Sequence, residues 1–246
     1  MARRESFRGV ILRGFKSGEA SRAIDILTET GSIFHCLARG AAKSKKRFIG
    51  CLEPFTSGTF QIHHGRGRPA VEAVDEVKSR FEIAKSVKAM AAASCACEWM
   101  LRTAGLHDEE SEQLAFMEEF LDLVEQSDEN VAALLFGFEM GLMALAGFLP
   151  DIRHCANCGK DFHGSDDVAL CQQDGTFVHR EHGYGKAIEQ DVRNLFVLLS
   201  SKSLSFCRRI KMGPRQKMGV AQVVGDLMGF HVGFIVKSRS FALQVI

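Results

Sequence analysis

The sequence predicts an all-β N-terminal domain, followed by an α-helical domain with a small metal-binding module inserted in it. Three observations support this multidomain β + α architecture. Short apolar segments separated by turn residues occupy residues 1–80, segments of helical periodicity follow, and a Cys-x-x-Cys pair with two nearby histidines lies within the helical part. At 246 residues, with 46% hydrophobic and 25% charged residues, the chain is long enough for two modest domains.

Five β-strands are expected in the first domain. The predicted strands are rich in β-branched residues, Leu and Phe, and turn signals such as Lys16-Ser17-Gly18 separate them; they are Phe7–Lys16, Arg22–Thr28, Ile33–Arg39, Thr59–His64 and Val71–Val77. Five strands in so short a domain need closure to avoid exposed edges, and a small barrel of the OB kind provides it. An SH3-like barrel fits the same pattern.

The helical domain is predicted to cover residues 81–246. Ala, Leu, Met and Glu dominate its first part, and the predicted helices include Leu114–Val124, Val131–Leu145, Ile188–Leu199 and Lys217–Val236. Gly147-Phe148-Leu149-Pro150 ends the first group of helices and leads to the metal-binding module at about residues 151–185.

Charge is distributed unevenly along a chain whose formal net charge is only +1. Residues 1–80 contain 15 Lys and Arg against 8 Asp and Glu, whereas residues 81–150 contain 3 against 13, and residues 151–246 contain 13 against 9. A basic N-terminal domain beside an acidic middle predicts that polyanion binding is confined to the barrel.

The strongest basic run is the loop Arg39–Arg47, which holds five cations and no acid between two predicted strands. A solvated charge run would look the same, but a cationic loop on an OB barrel favours contacts with phosphates. Cations on the preceding strands extend the predicted DNA-binding set, which is Arg13, Lys16, Arg22, Arg39, Lys43, Lys45, Lys46 and Arg47. Phe15, Phe34, Phe48 and Phe60 could stack on bases, although Phe in short strands more often forms core.

A second candidate site has the pattern C-x2-C-x20-H-x2-H, formed by Cys155, Cys158, His179 and His182. Two thiolates and two imidazoles match the tetrahedral preference of Zn²⁺, and four protein ligands would leave no position for substrate, so the zinc should be structural. The spacing between the histidines is shorter than in the usual zinc finger, which predicts a zinc-ribbon-like module. Cys171 is a rival ligand because structural zinc favours thiolates, and His154 and His163 also compete.

The absence of other motifs argues against several classes of activity. The chain contains no P-loop, GxGxxG, GxSxG or HExxH pattern, so the common signatures of nucleotide and hydrolytic enzymes are missing. It has no apolar run of membrane-spanning length and no secretion signal, which predicts a soluble intracellular protein. The remaining cysteines are scattered through apolar segments and should be reduced thiols.

Several segments closely resemble RecO recombination mediators. The N-terminal match runs through Gly9-Val10-Ile11-Leu12, Arg22–Thr28, Arg39-Gly40-Ala41 and Gly50–Phe55. It continues through Gly147–Pro150, the cysteine pair and the tail segments His231-Val232-Gly233 and Lys237–Phe241. Metal-binding relatives usually carry a second Cys-x-x-Cys after a glycine pair, whereas this chain has Asp174-Gly175 followed by His179 and His182.

The resemblance implies a non-catalytic function in DNA repair. RecO-like proteins bind single- and double-stranded DNA, anneal complementary strands, and work with RecR to load RecA onto DNA coated by single-strand-binding protein. It also implies a bacterial cytoplasmic protein, associated with the nucleoid during repair. The cluster Arg208-Arg209-Ile210-Lys211 is a candidate for binding the acidic tail of single-strand-binding protein.

Two other functions fit parts of the sequence. In a zinc-dependent nucleic-acid enzyme, water would replace one ligand and Glu181 would serve as general base. In a sequence-specific regulator, the zinc module would read the DNA, although the strongest basic run lies on the barrel instead.

Overall fold

The computed structural model describes residues 3–41, 48–65, 67–104, 112–164, 166–171, 173–233 and 236–246. By packing, they form two compact units, residues 1–126 and 127–246. The domain limits inferred from composition, 1–80 and 81–246, remain a prediction; in the packed structure the two helices that follow the barrel belong to the first unit.

Five strands form the N-terminal sheet, as the sequence predicts. They are β1 (Arg3–Ser17), β2 (Ser21–Thr28), β3 (Ile33–Ala38), β4 (Ser57–His64) and β5 (Ala70–Lys78). The sheet closes in the order β1-β2-β3-β5-β4, with β1 long enough to pair with β4 along its first half and with β2 along its second. Among the described residues, a single parallel pair, Leu37 with Ala70, joins β3 to β5.

Apolar side chains that point inward from these strands fill the barrel. Its core includes Ile11, Ile24, Ile26, Phe60 and Ile62, each at most 1% exposed. One close approach requires glycine: a Cβ at Gly9 would lie 2.6 Å from the backbone oxygen of Leu27 on the paired strand. A larger residue there would have to separate β1 from β2.

Helices complete the first unit. The short 3₁₀ helix Phe81–Lys85 leads to α1 (Val87–Thr103), and α2 (Gln113–Gln126) follows. Ser86 caps α1 by accepting a hydrogen bond from the Ala89 backbone N–H at 3.3 Å. Arg80 connects sheet and helix, because its buried guanidinium donates to the Phe55 carbonyl at 2.6 Å and to Asp122 on α2 at 2.7 Å.

In its described residues, the second unit combines five α-helices and the short 3₁₀ helix Arg180–His182 with a three-stranded sheet. The helices are α3 (Val131–Leu145), α4 (Gln190–Ser201), α5 (Leu204–Cys207), α6 (Pro214–Val232) and α7 (Lys237–Val245). The antiparallel sheet has the order β7-β6-β8, formed by β6 (Val168–Cys171), β7 (Thr176–His179) and β8 (Lys186–Ile188). The predicted helical character of this part of the chain is confirmed, with α3 matching its predicted limits.

Candidate metal centre and cationic barrel surface

The Cys-x-x-Cys pair lies in a tight turn that the adjoining strand holds in place. The Gly159 N–H donates to the Cys155 carbonyl at 2.8 Å, and Gly159 adopts a φ of +71° that favours glycine. The Ala156 N–H donates to the Phe177 carbonyl on β7 at 2.9 Å. The turn is therefore fixed against the strand that carries His179 at its end.

The four residues predicted as metal ligands converge at this turn. Cys155 Sγ lies 3.6 Å from His182 Nδ1, and Cys158 Sγ lies 3.5 Å from His179 Nδ1. The four ligand atoms all lie within 4.8 Å of one another. Ligands bound tetrahedrally at Zn–S and Zn–N distances of about 2.3 and 2.0 Å would be separated by about 3.5 Å, so the cluster could hold such an ion.

The cluster also favours the thiolate form of Cys155. Burial raises the pKa of this thiol, but hydrogen bonds from His182 and from the backbone N–H groups of Cys158, His179 and Asn157 outweigh burial and lower the pKa to about 5. A thiolate is the form that binds metal ions. The site is thus prepared electrostatically for a cation.

Carboxylates lie on the outer side of both imidazoles. His179 Nε2 lies 3.2 Å from Asp166 Oδ2, and His182 Nε2 lies 3.4 Å from Glu181 Oε1. A bound metal ion would replace the proton on each Nδ1, and the proton on each Nε2 would then be shared with the neighbouring carboxylate. Asp166 itself is fixed, since its Oδ2 accepts the His163 backbone N–H at 2.7 Å.

The rival ligands have other partners. Cys171, at the end of β6, lies outside the four-residue cluster and hydrogen-bonds to Asp174. Hydrogen bonds from Thr176 and, to a smaller extent, from Cys171 lower the pKa of the Asp174 carboxyl. His154 lies between Asp151 and Asp161, at 2.6 and 2.8 Å. His163 is engaged through its backbone, which donates to Asp166 and accepts from Arg193.

On the barrel, strand pairing brings together cations that are distant in sequence. Lys16 on β1 is opposite Arg22 on β2, and Arg22 is opposite Ala38 on β3, directly before Arg39. All three cations therefore lie at one end of neighbouring strands. The predicted residues Lys43, Lys45, Lys46 and Arg47 lie outside the described residues, in the segment of chain that follows this end of β3.

Two of the predicted DNA-binding arginines have acidic partners. Arg13 donates from Nε and Nη2 to Asp25 Oδ2, at 2.8 and 2.5 Å, and His35 Nδ1 lies 2.6 Å from Asp25 Oδ1. Arg22 pairs with Glu53 at 2.6 Å. Within the described part of the chain, Lys16 and Arg39 are exposed and have no ion pair, so their charges are the most available for a polyanion.

The four aromatic candidates differ in exposure. Phe60 and Phe48 are buried, at 0% and 7%, and belong to the barrel core. Phe34 is partly buried and packs against Phe7, with ring centroids 4.9 Å apart. Phe15 is 49% exposed, and the Arg13 guanidinium lies 5.5 Å from its ring centroid. Phe15 is thus the candidate with a ring face open to a base.

Comparisons with known proteins identify the family. The model for the N-terminal domain of recombination protein O matches residues 1–80, and the model for its C-terminal domain matches residues 84–240. The chain belongs to the RecO family.

Individual RecO relatives match at moderate identity. A DNA repair protein RecO from Caldanaerobacter subterraneus is 22% identical over 241 residues, covering 96% of both chains. RecO from Bacillus pumilus is 24% identical over 245 residues, covering 96% of this chain and 93% of the relative. RecO from Anaeromyxobacter dehalogenans is 30% identical over 177 residues, or 68% and 69%. The chain is thus a RecO-family DNA repair protein.

Sequence reasoning missed the acidic residues that hold the candidate site residues in place. Asp25 is 4% exposed in an apolar strand, Ala23-Ile24-Asp25-Ile26-Leu27, and a lone carboxylate in such a run is a signal of a buried partner. Asp166 gave no comparable signal, because it lies in an irregular polar segment. In the described segments of this RecO-family chain, no helix is long and apolar enough to cross a membrane.

Proposed function

We propose that this RecO-family chain is a non-catalytic recombination mediator. It binds single- and double-stranded DNA on an OB-type barrel, anneals complementary strands, and works with RecR to load RecA onto single-stranded DNA coated by single-strand-binding protein. The observation that carries the DNA-binding part is the convergence of Lys16, Arg22 and Arg39 at the barrel end from which the basic loop departs. We place this activity in the bacterial cytoplasm, at the nucleoid during repair.

The connectivity of the barrel supports the OB assignment. β1 is shared between β2 and β4, and β3 runs parallel to β5, which gives a Greek-key order in a five-stranded sheet. OB barrels bind oligonucleotides across strands 2 and 3 and the loop between strands 1 and 2. In this chain that surface carries Lys16, Arg22 and Arg39, with Phe15 beside them.

A cationic surface of this kind accounts for annealing without covalent chemistry. Lys and Arg displace the counterions condensed on phosphates, so binding is strong at low salt and depends little on base sequence. Two strands held on one protein lose part of their mutual repulsion and meet at a high effective concentration. Pairing is then accelerated although no side chain reacts.

The Cys155, Cys158, His179 and His182 cluster would hold one structural Zn²⁺ in this proposal. The donor set, two thiols and two imidazoles within 4.8 Å of one another, fits zinc, and four protein ligands complete its tetrahedral shell. The ion would cross-link the cysteine turn to the end of β7. Its contribution is to folding, not to a reaction.

The acidic tail of single-strand-binding protein is assigned to the basic segment after α5. Arg209 and Lys211 are exposed there, and Arg208 is fixed through its backbone carbonyl, which accepts from Asn130 Nδ2 at 3.1 Å. Exposed cations on a fixed turn suit an acidic peptide. Replacing Arg209 and Lys211 with Ala should weaken binding of that peptide and leave single-stranded DNA binding unchanged.

The DNA-binding proposal is tested by fluorescence anisotropy with labelled single-stranded DNA over a salt series. The Lys16→Ala/Arg39→Ala variant should bind more weakly, with a salt slope lower by about 1.4, because each phosphate contact on single strands contributes about 0.7. Replacing Lys43, Lys45, Lys46 and Arg47 with Ala should reduce the slope further. The matched control is Lys85→Ala/Lys88→Ala, which removes two exposed charges near the start of α1.

Three results would decide against this assignment. Wild-type protein that fails to bind, a strong preference for one base sequence, or an equal loss in the Lys85/Lys88 control would each contradict the proposed surface. For zinc, X-ray absorption of the purified protein should show two sulfur ligands and the multiple scattering of two imidazole rings. A spectrum with the scattering of fewer imidazole rings would instead favour the zinc-dependent enzyme.

A further inference from the structure

Arg193, in the first turn of α4, is a buried cation. The residue is 5% exposed, its Nη2 donates to the His163 carbonyl at 2.6 Å, and its guanidinium lies 5.9 Å from the centre of the Phe162 ring. A carbonyl and an aromatic ring stabilise a guanidinium but do not neutralise it. The position thus holds a full positive charge removed from water.

The described residues supply no counter-ion for this charge. Within them, no carboxylate lies within the 4.0 Å of an ion pair with Arg193, and Arg193 Nη1 is buried without a hydrogen-bond partner. The free-energy cost of burying a charge without a partner is on the order of several kcal/mol, which is more than the cost of losing a neutral hydrogen bond. A bound anion would neutralise this charge and supply the missing hydrogen-bond partner of Nη1.

Arg193 lines a cavity, open to solvent, that can accept an anion. The cavity has a volume of about 520 Å³, and Phe162, His163, Asn194 and Arg153 also line it. Arg153 is exposed and contributes a second cation. The one acid in the lining, Asp161, is paired with His154 at 2.8 Å.

We propose that this cavity is a binding site for a phosphate group, with Arg193 as its principal ligand. The fork of guanidinium donors matches tetrahedral oxyanions, and a phosphate carries enough oxygens to contact Arg193 and Arg153 at the same time. Inorganic phosphate and the phosphodiester of a nucleic-acid strand share this chemistry. The second source rests on the proposed DNA-binding function, whereas the site itself does not.

The proposal is tested first on the wild-type, zinc-loaded, full-length protein. Potassium phosphate, compared with potassium chloride at matched ionic strength, should raise the thermal unfolding temperature in a saturable manner. Calorimetric titration should give about one site per chain, and the NMR signal of the Arg193 Nε–H should shift with the same midpoint. Absence of saturable binding, or a titration that leaves the Arg193 signal unchanged, overturns the proposal whatever the variants do.

Two substitutions then test the ligand. Arg193→Gln should weaken phosphate binding about tenfold or more, because hydrogen bonds to a charged group are lost. Arg193→Lys should bind phosphate better than Arg193→Gln and less well than wild type. Arg215→Gln, which removes an exposed charge paired with Glu189, is the matched control and should bind as wild type does. An equal loss in the Arg215 control overturns the assignment to Arg193.

A final comparison separates the two sources of phosphate. Thymidylyl-thymidine, which carries one phosphodiester and no terminal phosphate, should compete with inorganic phosphate if the site serves a strand. In that case Arg193→Gln should also lower the salt slope for single-stranded DNA by about 0.7. If the dinucleotide does not compete, the site binds free phosphate. The Lys16/Arg39 experiment is independent of either result, so failure of the barrel surface and failure of this site are distinguishable.

Discussion

Glu139 and Arg239 form a bidentate ion pair between α3 and α7 inside the second unit. Arg239 Nε donates to Glu139 Oε1 at 2.6 Å and Nη2 donates to Oε2 at 3.1 Å, while Nη2 also donates to the Ala221 carbonyl at 3.0 Å. The Glu139 side chain is fully buried and that of Arg239 is 13% exposed. The short C-terminal helix is thus attached to the core through charge.

Removing one partner of this pair should destabilise the second unit strongly. Arg239→Met removes the guanidinium that pairs with both oxygens of the buried Glu139 carboxylate, and we expect a loss of about 3–5 kcal/mol in the free energy of unfolding. Hydrogen exchange of the α3 amides is the measurement. The Glu139→Met/Arg239→Met double variant should be more stable than Arg239→Met. Arg215→Met, at an exposed pair, should cost at most about 1 kcal/mol.

Asp166→Asn should weaken zinc binding about 10–100-fold, because the carboxylate at His179 Nε2 orients the imidazole and raises its basicity. Competition with a chromogenic chelator measures the zinc dissociation constant. The control is Asp167→Asn, which removes the same charge from the next, exposed position and should leave the constant unchanged. Equal weakening in both variants would indicate a general charge effect and contradict the role given to Asp166.

Asp122 should make the stability of the first unit depend on pH. Burial raises the pKa of its carboxyl, but hydrogen bonds and charge from Lys78 and Arg80 outweigh burial and lower the pKa below its usual value. Because the pKa of Asp122 is lower in the folded protein than in the unfolded chain, the carboxylate stabilises the fold at pH values above the unfolded-state pKa of about 3.9. This stabilisation is lost as the pH falls through the folded-state pKa. The ion pair is therefore intact at pH 7.

Asp122→Asn should consequently lower the stability of the first unit at neutral pH by about 3 kcal/mol, since Arg80 loses its counter-ion. The difference from wild type should shrink below about pH 4. Trp99, the single tryptophan, is buried in α1 and reports on this unit by fluorescence during denaturant unfolding. Asp75→Asn, at an exposed site on β5, should change stability by at most about 0.5 kcal/mol. A gap that persists in acid would contradict the linkage.

Gly137→Ala should destabilise the contact between α3 and α5. An added Cβ would lie 2.7 Å from Cys207 Sγ, and such overpacking costs about 1–3 kcal/mol, part of which the better helix propensity of Ala offsets. Thermal unfolding should show a lower midpoint for this variant and partial recovery in Gly137→Ala/Cys207→Ala. Gly229→Ala, where no atom lies within 4 Å of the added Cβ, should instead stabilise slightly. Failure of the double variant to recover would rule out the Cys207 contact as the cause.

Sequence periodicity predicted the elements whose apolar residues recur at a regular strand or helix period. The five strands and α3 were recognisable because their apolar patterns match strand or helix periods and turn residues bound them. The helix α4 begins at Gln190, two residues later than predicted, because Ile188 is the last residue of β8, where it pairs with Val168. The helices α5 and α7 were not predicted, because they are short and depend on tertiary contacts such as the Glu139–Arg239 pair.

The convergence of Cys155, Cys158, His179 and His182 was predictable from their spacing, since the members of each pair are close in sequence and one turn can present both. The partners of these ligands were not, because Asp166 approaches His179 only through the fold. The same holds for Arg193: in sequence it is one arginine among many, and it is distinguished by its burial without a carboxylate partner among the described residues. Sequence patterns identify groups that chemistry requires, whereas the pairing of charges depends on tertiary structure.

Among the described residues, β3 and β5 are joined by one pair, Leu37–Ala70, so they are the most weakly hydrogen-bonded neighbours in the barrel. The other neighbouring strands pair along most of their length. Between β3 and β5, the main backbone hydrogen bond in the described residues is the one that the Leu37 N–H donates to the Pro69 carbonyl at 2.9 Å. Local opening begins where the fewest backbone bonds must break. We therefore expect β3 and β5 to separate transiently, which would expose the edge of β3 next to Arg39 while the other strands stay paired.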